Sequence, residues 1–399
     1  MSSPAVIDPA AQLLAGGRVV TPEGVVADAW VHVTGDTIAS IERRRPAVDA
    51  PVVDLDGAWL LPGFIDMHMH GGGGHSVTGS PEAMDAAVAF HRARGTTATL
   101  VSLMTAPVAE LTAQLGWAAE LTRRGPTGSG CVLGVHLEGP FLSARRAGAQ
   151  NAAHMIAPDV AILDGLIAAA EGTLRMMTLA PELDGALELI PPLQRIGAVV
   201  AIGHSDASYE QASAAIRAGV SHATHLFNGM APLHHRAPGV VGAALGAGIS
   251  CELINDGRHV HPAVVQLITR LIDTPVLITD AIDATGIGDG TFELGGLEVN
   301  VADGEARLAG TRALAGSTLT MDEALRRAVT ASGLRIEHAA AAAATNPARV
   351  LGLAESIGSI APGRRADLVV LDDGLRVTDV MAAGIWSADG DGSHGKKLV

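Results

Sequence analysis

The sequence contains almost no lysine. Among its 399 residues there are 27 Lys and Arg, and the only lysines are Lys396 and Lys397 near the carboxyl end. The rest of the chain cannot supply a Schiff-base lysine, a phosphate-loop lysine or a carbamylated lysine that bridges metals. Any positive charge in an active site must therefore come from arginine, histidine or a metal ion.

Cysteine and aromatic residues are also scarce. Cys131 and Cys251 are too few for a disulfide scaffold or a cysteine-rich zinc site, and both begin apolar runs, as buried free thiols do. Aromatic residues make up 3% of the chain and the net charge is −15, so nucleic acids and anionic membrane surfaces are not expected partners.

Long apolar segments are missing as well. No run approaches the roughly 18 residues that span a bilayer, and the amino terminus has neither the basic nor the apolar region of a signal peptide. We therefore expect a cytoplasmic protein. Hydrophobic residues make up 48% of the chain and charged residues 17%, which is enough apolar material for a large core.

Short apolar runs alternate with Ala- and Leu-rich helical stretches, which indicates parallel strands joined by helices. Eight such repeats favour a closed (β/α)8 TIM-like barrel, and an open doubly wound sheet is the alternative. The runs are LLPGFIDMHMH (60–70), TTATLVSLMT (96–105), CVLGVHLEGP (131–140), RMMTLAPE (175–182), AVVAIGHS (198–205), HATHLFN (222–228), SCELINDG (250–257) and PVLITDA (275–281).

Both ends of the chain have strand character. We predict that 1–58 and 349–399 pair to form a small β-sandwich domain beside a barrel over 59–348. A β-hairpin is expected as an insertion near 290–311, before the last barrel helix. The polar, Gly-rich segment 388–399 is expected to be frayed.

Imidazoles and carboxylates occur where the predicted strands end, which is where barrels of this type carry their active sites. Because alternate strand residues point the same way, the first two histidines should project together. This donor set predicts a divalent metal site, with zinc favoured. The residues are His68, His70, Glu138, His204, His225 and Asp280.

The roles of three polar residues in these runs remain to be assigned. Asp280, after an apolar strand, could accept a proton from an activated water and return it to a leaving amine, or it could cap the next helix. His136 fits either a support for the metal ligands or a core histidine. His222 has the strand parity of a residue that faces a helix.

A serine hydrolase is the rival interpretation. Residues 203–207, GHSDA, nearly match the G-x-S-x-G nucleophile elbow, and HGGG at 70–73 resembles a lipase oxyanion motif. However, Ala207 replaces the last glycine of the elbow, and the metal hypothesis already uses His70 and His204. In that hypothesis, Ser205 or Asp206 caps the following helix.

Two basic segments stand out in an acidic chain. They are 228–236 (NGMAPLHHR) and 256–261 (DGRHVH). Arginine pairs with phosphate through two parallel hydrogen bonds, so these segments either bind an anion or form ordinary solvated loops.

Seven motifs together resemble the N-acetylglucosamine-6-phosphate deacetylase family of the amidohydrolase superfamily. They are PGFIDMHMHGGGG, HLEGPF, IGHSDA, THLFNGM, CELINDGRHVHP, LITDA and AGSTLTM, and they cover about residues 60 to 320. The flanks also resemble the family's split β domain. This resemblance implies hydrolysis of N-acetyl-D-glucosamine 6-phosphate to glucosamine 6-phosphate and acetate. The epimeric N-acetylgalactosamine 6-phosphate or another N-acyl amine is the alternative substrate.

The resemblance also implies roles for single residues. Glu138, His204 and His225 match the principal ligands of a divalent metal. His68 and His70 match the pair that, with Asp280, holds a second ion in some members. One or two ions are therefore expected, most simply Zn²⁺, with Fe²⁺, Mn²⁺ or Co²⁺ as alternatives. Asp280 also matches the catalytic acid and base.

The sugar-phosphate contacts of the family match Asn228, the Gly229 backbone, Arg236 and His259, some of them from the neighbouring subunit of a homodimer. The family usually has alanine at position 229. At Gln150 many members have a histidine that contacts the acyl carbonyl. Here either a second metal polarises that carbonyl, or Gln150 binds a sugar hydroxyl.

Overall fold

Eight parallel strands form the central sheet. The computed structural model describes residues 11–125 and 131–387, together with the backbone of Val6–Ile7. Each predicted run overlaps one strand of this sheet, and the strands pair side by side in chain order. They are β1 (Phe64–Asp66), β2 (Thr96–Met104), β3 (Cys131–Glu138), β4 (Leu174–Leu179), β5 (Val199–Ile202), β6 (His222–Ala223), β7 (Ser250–Ile254) and β8 (Pro275–Ile278).

One principal helix follows each strand, so the sheet is covered on its outer face as parallel sheets require. These helices are α1 (Pro81–Arg92), α2 (Val108–Arg123), α3 (Val160–Ala169), α4 (Ile190–Arg195), α5 (Tyr209–Ala218), α6 (Gly239–Ala247), α7 (Pro262–Leu271) and α8 (Met321–Thr330). Short 3₁₀ helices lie at Ala144–Arg146, Ala152–His154 and Ala186–Leu189. After α8, the chain continues through α9 (Ile336–Ala340), a π-helical turn (Ala341–Thr345) and α10 (Asn346–Val350).

Helix α5 shows how local sequence sets a boundary. Ser208 caps it through a capping box with Gln211, and Gly219 ends it. The expectation that Ser205 or Asp206 would cap this helix is wrong, because the helix begins only at Tyr209 and Ser208 is the residue that precedes it.

The barrel closes through residues at and just beyond the ends of β1 and β8. The carboxylate of Asp66 accepts a hydrogen bond of 2.6 Å from the hydroxyl of Thr279. The Asp280 amide then donates to the His68 carbonyl at 2.9 Å, and the His70 amide donates to the Ala281 carbonyl at 2.8 Å. These bonds join the first and last strands, as the barrel prediction requires, and they rule out an open sheet.

The segment before α8 forms a small antiparallel sheet of its own. Its strands are Gly290–Leu294, Leu297–Ala302 and Glu305–Leu308, so a third strand joins the predicted hairpin. Apolar side chains of this insert pack against Met104 and Ile282 at the top of the barrel. The insert therefore forms a wall beside the carboxyl ends of the strands.

Both terminal regions share one mixed sheet beside the barrel. Trp59–Pro62 lies at its centre, parallel to Ala11–Thr21 and antiparallel to Leu368–Leu371. Its other strands are Gly24–Thr34, Thr37–Glu42, Val52–Asp54, Val377–Ala382 and Ile385–Trp386, and Val6–Ile7 pairs separately with Val48–Asp49. The two ends of the chain therefore associate in one small β-domain, and Trp59–Pro62, which we predicted as part of the barrel, belongs to its sheet.

The segment 388–399, with both lysines, lies outside the described residues. Within the ranges that the structure describes, every helix is too short or too polar to cross a membrane.

Candidate metal centre and active site

The structure brings all six predicted metal and catalytic residues together. They lie at the carboxyl ends of five strands, and each is at most 8% exposed. They are His68, His70, Glu138, His204, His225 and Asp280. A cavity of about 270 Å³ opens above them.

Three of these residues have a left-handed backbone. The φ angles are 46° at His204, 30° at His225 and 51° at Asp280. Residues other than glycine rarely adopt this backbone conformation, so the surrounding contacts must hold it. Because each turn interrupts the strand alternation, it redirects its side chain into the cavity.

The prediction that His222 faces a helix is wrong, and the break in strand alternation at His225 explains why. The residue does not face a helix, because its Nε2 donates to Glu252 Oε1 at 3.1 Å inside the barrel. Its Nδ1 lies 2.6 Å from Ser250 Oγ. The parity argument failed because it counted back from His225, which has already left the strand.

The first group of candidate ligands, here called the His204 half-site, consists of Glu138, His204 and His225. Glu138 Oε1 lies 3.1 Å from His204 Nε2 and 2.9 Å from His225 Nε2, and these two nitrogens are 3.1 Å apart. His204 Nδ1 donates to the Arg146 carbonyl at 2.8 Å. Because a carbonyl only accepts, Nδ1 carries a hydrogen, and whenever the His204 ring is neutral the lone pair of Nε2 faces this group.

The second group, the His68 half-site, consists of His68 and His70 with the other oxygen of Glu138 and with Asp280. The two Nε2 atoms are 3.0 Å apart. His70 Nε2 lies 3.3 Å from Glu138 Oε2 and 3.2 Å from Asp280 Oδ1. Both Nδ1 atoms donate hydrogen bonds on the side of the ring away from these ligands. His68 donates to Glu252 at 3.1 Å, and His70 donates to the Ser102 carbonyl at 3.0 Å.

The donor set fits divalent metal. Imidazole nitrogen and carboxylate oxygen suit a borderline-soft cation, and outward Nδ1 donors are typical of metal-binding histidines. Pairs of Nε2 lone pairs about 3 Å apart repel unless a proton or a cation lies between them. Both groups could hold a metal ion, and Glu138 belongs to each.

The electrostatics favour a cation at the same place. Burial alone lowers the pKa of His68, but the carboxylates of Glu138, Asp280 and Glu252 raise this pKa well above its usual value. Burial alone raises the pKa of Glu138, yet the charge of His68 and hydrogen bonds from other imidazoles lower it well below its usual value. The carboxylates thus stay ionised and attract positive charge.

Asp280 faces the His68 half-site from the end of β8. The chain after it forms turns over 283–287, so the helix-cap alternative is excluded. Its Oδ1 lies 3.5 Å from His68 Nε2 and is directed towards the cavity that it lines. A carboxylate here can exchange a proton with a group bound in the cavity.

The serine of the nucleophile-elbow motif lies away from this cavity. Ser205 is fully buried, and its hydroxyl donates to Glu182 Oε2 at 2.7 Å. Its role is to hold the loop that carries His204. The serine-hydrolase alternative therefore loses its nucleophile.

The sequence profile of the Amidohydrolase family matches residues 59–387. The chain belongs to the amidohydrolase family. N-acetylglucosamine-6-phosphate deacetylase of Homo sapiens is 38% identical to this amidohydrolase over 389 residues, which cover 94% of this chain and 91% of the relative. N-acetylgalactosamine-6-phosphate deacetylase of Escherichia coli O157:H7 is 40% identical over 376 residues, covering 93% and 98%.

A solved structure supports the same relationship. N-acetyl-D-glucosamine-6-phosphate deacetylase from Mycobacterium smegmatis superimposes on this amidohydrolase with a TM-score of 0.88 at 40% identity, covering 94% of this chain and 99% of that one. The resemblance predicted from the motifs is confirmed.

Four of the five predicted substrate contacts of the amidohydrolase line the cavity, namely Asn228, Gly229, His259 and Gln150. Asp256 fixes His259 by accepting from its Nδ1 at 2.7 Å. Gly229 has a φ of 59°, and a Cβ there would lie 2.9 Å from the ring of His204. Glycine at 229 therefore gives His204 room that alanine would take.

Arg236 is not among the residues that line this cavity. It is exposed, and its guanidinium lies 3.0 Å from His235 Nε2. Within one chain of the amidohydrolase, the structure therefore does not bring Arg236 to the candidate ligands.

Gln150 is held at both ends of its amide. Its Oε1 accepts from the Thr105 amide at 2.9 Å, and its Nε2 donates to Glu138 Oε2 at 2.6 Å. Because Gln150 also lines the cavity, it supports the shared carboxylate while facing the substrate space.

His136 lies one layer below the ligands. Its Nδ1 is 3.0 Å from Ser102 Oγ and its Nε2 is 2.7 Å from Thr178 Oγ1. Burial and the charge of His68 lower the pKa of His136 well below its usual value, so the ring is neutral. It is a hydrogen-bonded core histidine that supports the strand of Ser102, whose carbonyl orients His70.

Sequence reasoning missed Glu252 in this amidohydrolase. It is fully buried in β7 and contacts His68, His222 and the backbone of His225. The available signal was a lone carboxylate inside the apolar run SCELI. A buried charge needs partners, and two of the partners here, His68 and His225, are candidate metal ligands.

Proposed function

We propose that this amidohydrolase removes the acetyl group from N-acetyl-D-glucosamine 6-phosphate and releases D-glucosamine 6-phosphate and acetate. The observation that carries the proposal is the convergence of Glu138, four imidazoles and Asp280 beneath one cavity, which all of them except His68 line. The rim of that cavity carries Asn228 and His259, which are donors suited to a sugar phosphate.

One or two divalent ions, which we propose to be zinc with Fe²⁺, Mn²⁺ or Co²⁺ as alternatives, would be held by the two half-sites and would supply an activated water and polarise the acetamide carbonyl. Asp280 accepts the proton of the attacking water at its carboxylate. It then delivers that proton to the departing amine, so that one residue serves as base and acid. Gln150 keeps Glu138 in place through the 2.6 Å hydrogen bond.

Acetate release tests this function directly. We expect the purified protein to release acetate from N-acetylglucosamine 6-phosphate and to lose this activity after treatment with a chelator. Activity should return when zinc is added, and metal analysis should count one or two ions per chain. Unchanged activity in the chelated, metal-free protein would reject the metal-dependent mechanism.

A second candidate substrate is N-acetylgalactosamine 6-phosphate. The observation that favours it is the Escherichia coli O157:H7 relative named for that substrate, which is 40% identical to this chain. The two sugars differ in the orientation of one hydroxyl. The ratio of kcat/KM for the two phosphates, measured with the same preparation, decides between them.

The exposed loop around Arg236 supports a homodimer. Leu233 is 51% exposed, and the two histidines and the arginine that follow it are also exposed. An apolar side chain near a guanidinium is suited to a partner surface with a bound anion. We propose that Arg236 reaches the substrate phosphate of the neighbouring subunit.

Replacing Arg236 with alanine should therefore act mainly on substrate binding. We expect KM for the phosphorylated substrate to rise by about 10- to 100-fold with little change in kcat, because a hydrogen bond to a charged group contributes about 1.5–3 kcal/mol. Arg270→Ala, at an exposed arginine of α7, is the matched control. If wild-type protein turned over unphosphorylated N-acetylglucosamine equally well, the phosphate site would be wrong.

A further inference from the structure

The carboxylate of Glu252 accepts hydrogen bonds from three different groups. Its Oε2 accepts from His68 Nδ1 at 3.1 Å and from the backbone amide of His225 at 2.9 Å. Its Oε1 accepts from His222 Nε2 at 3.1 Å. The side chain is fully buried, so water does not compete for these acceptors.

A carboxylate is the side chain that can satisfy all three N–H groups, because it accepts at both ends and donates at neither. Burial by itself raises the pKa of Glu252, but His68 and His222 lower it well below its usual value, so the group is ionised. The negative charge lies behind the cavity, on the Nδ1 side of His68. It therefore fixes a hydrogen on Nδ1 and directs Nε2 towards His70 and Asp280.

The same oxygen acts on both half-sites. Its contact with His68 orients a ring of the His68 half-site, and its contact with the His225 amide holds the left-handed turn, φ 30°, that directs His225 into the His204 half-site. Each of the other acceptors behind the ligands accepts a hydrogen bond from only one imidazole. The Ser102 carbonyl accepts from His70 and the Arg146 carbonyl accepts from His204.

We propose that Glu252 is a positioning residue that holds the two half-sites in register, through the ring of His68 on one side and the backbone of His225 on the other. This inference rests on the proposed metal-dependent function. It assigns to one buried carboxylate, outside the ligand set, the geometry of both ion positions.

Zinc affinity of the metal-free protein tests the inference. Zinc is titrated into the wild type, Glu252→Gln and Glu252→Asp in competition with a chromophoric chelator, and thermal unfolding without metal checks that each variant is folded. Loss of such an outer partner typically weakens metal binding by 10- to 100-fold. We expect a weakening of about this size for every zinc equivalent in Glu252→Gln, because an amide has one acceptor oxygen for the three donors.

Glu252→Asp should recover part of the lost affinity, because it keeps the charge. Asp367→Asn is the matched control, since Asp367 is a buried carboxylate, 5% exposed, that directly precedes the strand Leu368–Leu371 of the terminal sheet. We expect it to lower the unfolding temperature, because Asp367 pairs with Arg365, and to leave zinc affinity unchanged. Wild-type zinc affinity in Glu252→Gln would overturn the inference, and weakening of only one of two equivalents would overturn the shared role. A wild type that binds no zinc and resists chelators would overturn the proposed function as well.

Discussion

Asp280→Asn should lose about 10²- to 10⁴-fold in kcat while it keeps its metal. A loss of this size is the usual contribution of a positioned acid or base. Asparagine has the shape of aspartate but cannot accept a proton at neutral pH. Each half-site keeps three candidate ligands without Asp280, namely Glu138 with His68 and His70 in one and Glu138 with His204 and His225 in the other. Steady-state acetate release and metal analysis of the same preparation measure the two properties separately.

The control is Asp283→Asn, three residues further along the same loop. An Asp280→Asn protein with a near wild-type rate would reject Asp280 as the acid and base. A variant that lost its metal together with its activity would show instead that Asp280 acts chiefly as a ligand.

Glu138→Gln should have a still larger effect, because it removes an anionic oxygen from both half-sites at once. One oxygen of Glu138 lies 2.9 Å from His225 Nε2, and the other lies 3.3 Å from His70 Nε2. Glutamine would present a carbonyl to one side and an NH₂ group to the other, where an N–H meets ligand atoms instead of a cation.

We expect Glu138→Gln to bind no metal stably and to lose at least about 10³-fold in turnover, equivalent to roughly 4 kcal/mol of transition-state stabilisation. Metal analysis after dialysis and acetate release measure the two effects, and Glu188→Gln, at an exposed carboxylate, is the control. Retention of a full metal complement would contradict the shared role of Glu138.

Much of the fold follows from local sequence. The barrel strands are buried almost throughout; all nine residues of β2, for example, are buried. Such runs, separated by helices, are typical of parallel strands covered on both faces. The residues that end the runs could therefore be assigned to one end of the barrel, and the structure does bring Glu138 and His204 together there.

The site beyond those strand ends could not be predicted in the same way. The position of His222 was mistaken because strand alternation stops at the left-handed turn of His225, and a turn of that kind leaves no signal in the periodicity. Glu252 lies inside a strand, where only its charge distinguishes it from its neighbours. The partner of Gln150 depends on a loop that folds back over Glu138, which is a long-range contact without a local pattern.

The closure of the barrel between β1 and β8 has a consequence for how the protein folds. Asp66 and Thr279 are 213 positions apart in the chain, and their hydrogen bond lies next to the ligands that the two strands contribute. The His68 half-site therefore lacks Asp280 until the last strand has paired with the first, and closing a loop of this length costs conformational entropy. An ion held jointly by Asp280 and the two histidines that follow β1 would bind the closed barrel more tightly than the open chain, and would therefore shift the folding equilibrium towards closure.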